Sequence, residues 1–192
     1  STRLEKLSSS FDEMKLDAVA LNPGASLAYL TGLHFHLMER PVVAIFAGKA
    51  PPVVILPELE LQKIEGLPYK VNAFPYSENP EEWGGVFRRA ILSLGLDGKR
   101  IGVEPRQMRL LEFNYLHGSV TGAEFPDASQ VVSRLRIHKD DSEIAAIRQA
   151  VQVAQKALEA LIPHIKIGMT EEQVAAELLL QLLRAGTQPE LP

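Results

Sequence analysis

The stretch PVVAIFAGKAPPVVILP, residues 41–57, decides the fold class of this chain. It contains two runs rich in β-branched residues, and the short segment Lys49-Ala50-Pro51 lies between them. Two such runs separated by a few turn residues are typical of neighbouring β-strands joined by a tight connection. The sequence therefore predicts a pair of adjacent strands here.

Helical and strand patterns alternate on both sides of this pair. Alternation of this kind predicts an α/β domain over residues 1–132, with a mixed β-sheet flanked by helices. The predicted order is a helix over 3–15, a strand over 16–22, a helix over 25–32, strands over 41–48 and 52–57, a helix over 58–66, a strand over 69–76, a helix over 79–95, a strand over 99–105, a helix over 109–118, a short strand over 123–128 and a helical turn over 129–137.

Residues 133–192 have a different pattern, with a short basic hinge and two apolar helices but no strand. Asp140 with Glu143, and Thr170 with Gln173, have the spacing of capping boxes at the starts of these helices. Each helix carries an apolar stripe, and most of the stability of such a helix comes from burying that stripe. We therefore expect the helices to pack on the first domain, on another chain, or on residues of a longer protein.

Composition restricts the classes of function. The chain has 192 residues, 46% of them hydrophobic, a net charge of −4 and no cysteine. A mildly acidic protein does not favour nucleic acid as a partner, and a chain without cysteine has neither disulfides nor thiol catalysis. No apolar run approaches the roughly 18 residues that a membrane span requires. We expect a cytoplasmic protein that binds neither nucleic acid nor membrane.

Four stretches together resemble the creatinase/prolidase/Xaa-Pro aminopeptidase family, the pita-bread metallopeptidases. They are LDAVALNPGASLAYLTGL, RIGVEP, AEFPDASQVVSRLRIHKDDSEIAAIRQAVQVAQKAL and IKIGMTEEQVAAEL. The resemblance implies a creatinase N-terminal-like domain over 1–132, followed by the hinge and the two opening helices of an incomplete pita-bread domain over 133–192. It also implies a homodimer that acts on proline-containing peptides.

In this family, a complete enzyme holds two divalent metal ions (Mn, Co or Zn) through two Asp, one His and two Glu. A water between the metals attacks the peptide bond before proline, and the metals stabilise the oxyanion. None of these five ligands can be placed in residues 1–192, so the resemblance assigns no catalytic residue and no metal ligand to this chain. It predicts an N-terminal part that shapes substrate access and oligomerisation and is inactive alone.

The segment GLHFHLMERP, residues 32–41, holds the candidate binding residues. Its two histidines, His34 and His36, point the same way if the segment is extended, which would suit a metal ion, although no third ligand is evident. The family resemblance favours substrate binding by His36, Glu39 and Arg40 at the lip of a neighbouring subunit's active site, with Arg40 pairing a substrate carboxylate. The alternative is an ion pair around Glu39 and Arg40 that only fixes the loop.

Other acidic residues have simpler interpretations. The pair Asp140-Asp141 could bind a metal, but helix capping explains Asp140 better. Glu104 is a carboxylate at a strand end, a common place for a polar residue. Two alternatives for the whole protein remain open: a creatinase-type amidinohydrolase that works without metal, and a non-enzymatic pita-bread-like module that binds peptides or proteins.

Overall fold

A computed structural model describes residues 3–188 of the protein. The chain divides into two compact units, one ending at Ile137 and the other beginning at His138. The first unit thus includes residues 133–137, which the sequence assigned to the hinge. Within the described residues, no helix has the length and apolar character needed to cross a membrane.

The first unit is built on one five-stranded mixed sheet, which confirms the predicted fold class. The strand order across the sheet is β4-β3-β2-β1-β5. The residues 41–57 form the predicted adjacent pair, β2 and β3, which run antiparallel. The strands are β1 Ala18–Leu21, β2 Val43–Ala47, β3 Val53–Pro57, β4 Asn72–Tyr76 and β5 Ile101–Val103.

Strand direction brings several chain segments to one edge of the sheet. β5 runs parallel to β1, and β4 runs parallel to β3. β2 runs antiparallel to both of its neighbours, so that Ala44 at its start pairs with Leu21 at the end of β1. The ends of β1, β3, β4 and β5 and the start of β2 therefore share one edge, which we call the carboxyl edge.

Helices cover both faces of this sheet. Alternate residues of a strand face opposite sides, so Val19 and Leu21 belong to one apolar cluster while Ala18 and Ala20 belong to the other. The first cluster includes buried residues of α1, α2, α3 and α7, and the second includes buried residues of α5 and α6. The helices of this unit are α1 Arg3–Ser9, α2 Phe11–Met14, α3 Ala25–Thr31, α4 Gln62–Glu65, α5 Pro80–Leu92, α6 Leu110–His117 and α7 Ser129–Ile137, with a 3₁₀ turn at Glu58–Glu60.

Three predicted elements differ in detail. The helix expected over 58–66 forms the 3₁₀ turn Glu58–Glu60 and the separate helix α4. The helix expected over 3–15 is broken into α1 and α2, because Ser8, Ser9 and Ser10 each donate a hydroxyl hydrogen bond to the carbonyl three residues back. Such bonds compete with the helical backbone pattern. The short strand expected over 123–128 forms only isolated bridges beside β5. Pro126, which has no N–H to donate, interrupts any regular ladder there.

The second unit consists of α8 Asp141–Leu161, a 3₁₀ turn at Ile162–His164 and α9 Glu171–Ala185. Both predicted capping boxes are present, at Asp140 with Glu143 and at Thr170 with Gln173. The two helices pack on each other. Most of the large apolar side chains in the helices and in the connection between them nonetheless remain exposed: Ile144, Ile147, Val151, Leu158, Ile162, Ile165, Ile167, Leu179, Leu180 and Leu183.

Candidate functional site

The segment with the predicted binding residues lies at the carboxyl edge. Gly32 ends α3 with a φ of +74°, a left-handed conformation that glycine adopts without steric cost. Residues 32–42, which we call the edge loop, then run without helix or strand to the start of β2. The loop is secured at both ends by buried side chains, Leu33 and Val42.

Side chains from the rest of the first unit hold the backbone of the edge loop and of the residue before it. An irregular segment has carbonyl groups that no ladder satisfies, so they need other donors. Four such carbonyls accept hydrogen bonds from side chains far away in sequence. The bonds run from Tyr69 Oη to Thr31 O (2.6 Å), Lys63 Nζ to His34 O (3.1 Å), Arg109 Nη1 to Met38 O (2.6 Å) and Tyr76 Oη to Pro41 O (2.7 Å).

The three predicted binding residues lie together on this loop and differ in their partners. His36 is exposed, and the Glu39 side chain is 74% exposed. Arg40 forms an ion pair with Glu78: its Nε and Nη2 lie 2.9 and 2.6 Å from Glu78 Oε2. Glu39 Oε1 is more distant, at 3.7 Å from Arg40 Nη1. The guanidinium of Arg40 thus ties the loop to the residues after β4.

Below the loop lies a second ion pair, which sequence reasoning missed. Arg109 immediately precedes α6 and contacts both carboxylate oxygens of Glu112, whose side chain is fully buried. Hydrogen bonding to the Glu112 carboxylate raises the pKa of Arg109. The i to i+3 spacing of the pair was visible in the sequence, but nothing there showed that Glu112 is buried or that Arg109 reaches Met38.

Tyr76 is close enough to both ion pairs for their charges to act on it. Burial is the main cause that raises the pKa of its phenol well above the ordinary value, and the charges of Arg40, Glu112 and Glu78 also act on it. The hydroxyl therefore stays protonated at neutral pH and donates to Pro41 O. Trp83 is buried and packs beside Tyr76, with ring centroids 5.1 Å apart.

Glu104 also lies at the carboxyl edge, directly after β5. Its carboxylate accepts a hydrogen bond from the buried Ser26, at 2.8 Å, and burial raises its pKa. Asn22, directly after β1, is buried as well, and its amide group makes no hydrogen bond with the described residues. The edge therefore combines exposed charge on the loop with half-buried and buried polar groups beneath it.

The described part of the chain brings together no set of side chains like the metal ligands implied by the family resemblance. Among residues 3–188, no three His, Asp or Glu side chains are grouped closely enough to hold an ion. Asp140 acts as a helix cap: its Oδ1 accepts the backbone N–H of Glu143 at 2.9 Å. This geometry favours the capping interpretation of the pair Asp140-Asp141.

Comparison with known proteins identifies the family. Residues 3–138 match the family model of the creatinase/prolidase N-terminal domain. The chain therefore belongs to this family.

Individual relatives agree with this assignment. The chain is 22% identical to the putative dipeptidase YkvY of Bacillus subtilis over 97% of its own length and 51% of the relative's. It is 23% identical to the Xaa-Pro dipeptidase of Lactobacillus helveticus, over 93% and 49%. A crystal structure of a dipeptidase from Pyrococcus horikoshii matches with a TM-score of 0.82 and 27% identity, over 95% and 49%. The chain thus spans about half the length of the relatives it matches.

Proposed function

We propose that this chain forms the N-terminal part of a metal-dependent Xaa-Pro aminopeptidase or dipeptidase. Membership of the creatinase/prolidase N-terminal family supports this proposal, as does the name of the Lactobacillus helveticus relative. The reaction is hydrolysis of a peptide bond next to proline. The two divalent metals that this chemistry uses would be bound by the half of the protein that the relatives have in addition.

The role of this chain is to shape substrate access, and one observation carries that proposal. The edge loop and the residue before it are held by four side chains from elsewhere in the unit, yet His36 and Glu39 face solvent. A loop that is fixed in place and still exposes polar groups is suited to recognition, because little conformational entropy is lost when it binds. We assign the loop to the lip of a peptide-binding site in a neighbouring subunit.

The ion pair of Arg40 indicates how this residue would bind a substrate carboxylate. A substrate carboxylate would compete with Glu78 for the guanidinium, or would use the Nη1 atom that faces Glu39 across 3.7 Å. Arg40 thus serves both interpretations left open by the sequence, since it fixes the loop and keeps a donor near its surface. His36 is not paired with Glu78, and its side chain is more exposed than that of Arg40.

The second unit supplies the opening helices of the pita-bread domain in this proposal. Its exposed isoleucine, valine and leucine side chains need a partner surface, since burying each stabilises the fold by roughly 1.5–3 kcal/mol. The rest of the catalytic domain provides that surface, and the protein functions as a homodimer so that each edge loop can reach the other subunit.

The test is enzymatic and uses a longer protein that contains these 192 residues together with the proposed catalytic half. We expect it to cleave Xaa-Pro dipeptides or N-terminal Xaa-Pro bonds with Mn²⁺, Co²⁺ or Zn²⁺, to lose activity with a chelator, and to sediment as a dimer. Cleavage of creatine without metal would instead identify a creatinase-type enzyme. Peptide binding without any turnover would identify a binding module.

A further inference from the structure

The Arg109–Glu112 pair differs from every other contact that holds the edge loop. Tyr69, Lys63 and Tyr76 each donate one hydrogen bond to the loop or to the residue before it. Lys63 also pairs with Glu60, which is partly exposed, whereas Arg109 divides its donors between the loop and a carboxylate that is fully buried. The loop is therefore coupled at this point to a charge that cannot move into water without opening the fold.

The geometry of Arg109 uses the shape of the guanidinium group. Its Nε and Nη2 form the fork on Glu112, and its Nη1 lies 2.6 Å from Met38 O. A planar group with donors on several nitrogens can form a two-nitrogen fork on a carboxylate and still donate to a separate carbonyl, whereas a lysine has one nitrogen and cannot form that fork. The residue type at position 109 thus matters beyond its charge.

The position of the contact bears directly on His36. The loop is held at His34 O by Lys63 and at Met38 O by Arg109, so His36 lies midway between two fixed carbonyls. Past Met38, the Arg40–Glu78 pair and the Tyr76 hydroxyl hold the remainder of the loop. Loss of the Met38 contact would leave the carbonyl groups of residues 35–39 without a hydrogen bond from the described residues. The Phe35 side chain would still be held by apolar contacts and by Lys63 Nζ, which lies 5.1 Å from its ring centroid.

We propose that Arg109 is a positioning residue: supported by the buried Glu112 and bonded to Met38 O, it fixes the edge loop in the conformation that presents His36. The importance of this for peptide binding rests on the function proposed above. The positioning itself is a property of the chain alone.

The decisive variant removes both charges together. Removing Arg109 by itself would leave Glu112 buried and unpaired, which threatens folding, whereas replacing a buried ion pair by apolar side chains of similar size is often tolerated. In the double variant Arg109→Met/Glu112→Met, we expect the fold to be retained and the donor to Met38 O to be lost. Arg109→Lys is the second variant: it keeps the charge beside Glu112 but replaces the fork and the separate donor to Met38 O by a single nitrogen.

The readout is the backbone ¹⁵N order parameter of residues 36–40 in the 192-residue chain. Rigid backbone has an order parameter of about 0.85, and flexible backbone has an order parameter below about 0.6. We expect order parameters of about 0.85 for this segment in the wild type, values below about 0.6 in the double variant, and intermediate values in Arg109→Lys. The order parameters of β2 should be the same in all three proteins. Unchanged loop values in the double variant would overturn the proposal. If that variant does not fold, unchanged values in Arg109→Lys would do so.

An exposed pair elsewhere provides the matched control. Arg134 on α7 and Glu13 on α2 are 2.5 Å apart and more than half exposed, and neither contacts the edge loop. The double variant Arg134→Gln/Glu13→Gln removes the same two charges, and we expect it to leave the order parameters of residues 36–40 at the wild-type value.

Kinetics of the longer protein separate this proposal from the proposed function. A purely structural effect would reduce the active fraction and hence kcat, whereas a misplaced recognition loop raises KM. We expect the double variant to raise KM for Xaa-Pro substrates about tenfold, with kcat within about twofold of wild type. A loosened loop with unchanged KM would refute the role of the loop in peptide binding while leaving the positioning role of Arg109 intact.

Discussion

The two units of this protein differ in how far their apolar side chains are buried. In the first unit, Val19, Ile45 and Ile55 have no exposed surface, because helices cover both faces of the sheet. In the second unit, Ile147 and Val151 are each 51% exposed and Leu158 is 53% exposed, although they belong to an equally regular stripe. Leu161, the last residue of α8, is buried.

The difference shows what an apolar pattern can and cannot tell. The period of a pattern identifies the face that must be buried. It does not identify the surface that buries it. In the first unit, both partner faces occur within residues 3–137, so the pattern and the fold agree. In the second unit, α8 and α9 bury only part of their stripes against each other.

The largest expected effect comes from separating the units. A chain of residues 1–137 should keep a single cooperative unfolding transition in urea, because its core is contained within it. A chain of residues 138–192 should lose most of its helical signal at 222 nm, since short helices without a buried face are marginal in water. Cooperative unfolding of the 138–192 fragment by itself would contradict the claim that its two helices lack a sufficient buried face.

A matched pair of leucines measures the same difference within the 192-residue chain. Leu56 in β3 is fully buried, and Leu158 in α8 is 53% exposed. Leu56→Ala should lower the free energy of unfolding by about 2–5 kcal/mol, and Leu158→Ala by less than about 1 kcal/mol. If urea titrations showed equal losses of unfolding free energy in the two variants, the apolar face of α8 would be covered in solution. Sedimentation would then test whether self-association covers it.

A helix cap gives a smaller effect and tests the two interpretations of the Asp140-Asp141 pair. Asp140→Ala removes the acceptor for the Glu143 N–H and should destabilise α8 by about 1 kcal/mol. Asp141→Ala, at the first helical position, is the control and should cost a few tenths of a kcal/mol. Thermal melts with and without Mn²⁺ are the measurement. A stabilisation by Mn²⁺ that both variants abolish would favour the metal pair instead.

The smallest effect concerns the pH dependence of the first unit. Burial raises the pKa of Glu104 above the ordinary 4.5, so the folded state holds this proton more tightly than the unfolded state. The stabilisation by that proton is complete below about pH 4.5 and is lost as the pH rises through the folded-state pKa.

Glu104→Gln should therefore gain stability relative to wild type between about pH 4 and pH 7, by less than about 1 kcal/mol. Urea titrations across this range measure the difference. Asp97→Asn, on an exposed turn beyond α5, serves as the control. A difference between Glu104→Gln and wild type that stays constant with pH would contradict the assigned cause.

The sequence predicted much of this fold because the informative features are local. The β2–β3 pair, the start of α5 at Pro80 and both capping boxes depend on residues within a few positions of one another. The break after α1 was missed because the apolar periodicity of a helix carries no information about the three serine hydroxyls that donate to backbone carbonyls.

The candidate site was only partly accessible to the same reasoning. The sequence located His36, Glu39 and Arg40 on one segment, and the structure places that segment at the carboxyl edge. The partners of the loop could not be found, because Arg40 and Glu78 are 38 residues apart and Arg109 and Met38 are 71 apart. Such pairs depend on strand order and on how α6 packs, which no local pattern encodes. A helical glutamate such as Glu112 would ordinarily be assigned to solvent.

The most direct test of the account is a steady-state comparison of His36→Ala with wild type in the longer protein, using an Xaa-Pro dipeptide. The exposed His138, which lies outside the edge loop, provides the control variant His138→Ala. We predict that His36→Ala raises KM about tenfold with kcat within about twofold, while His138→Ala changes neither. An unchanged KM in His36→Ala, or an equal change in both variants, would contradict the claim that the edge loop recognises the substrate.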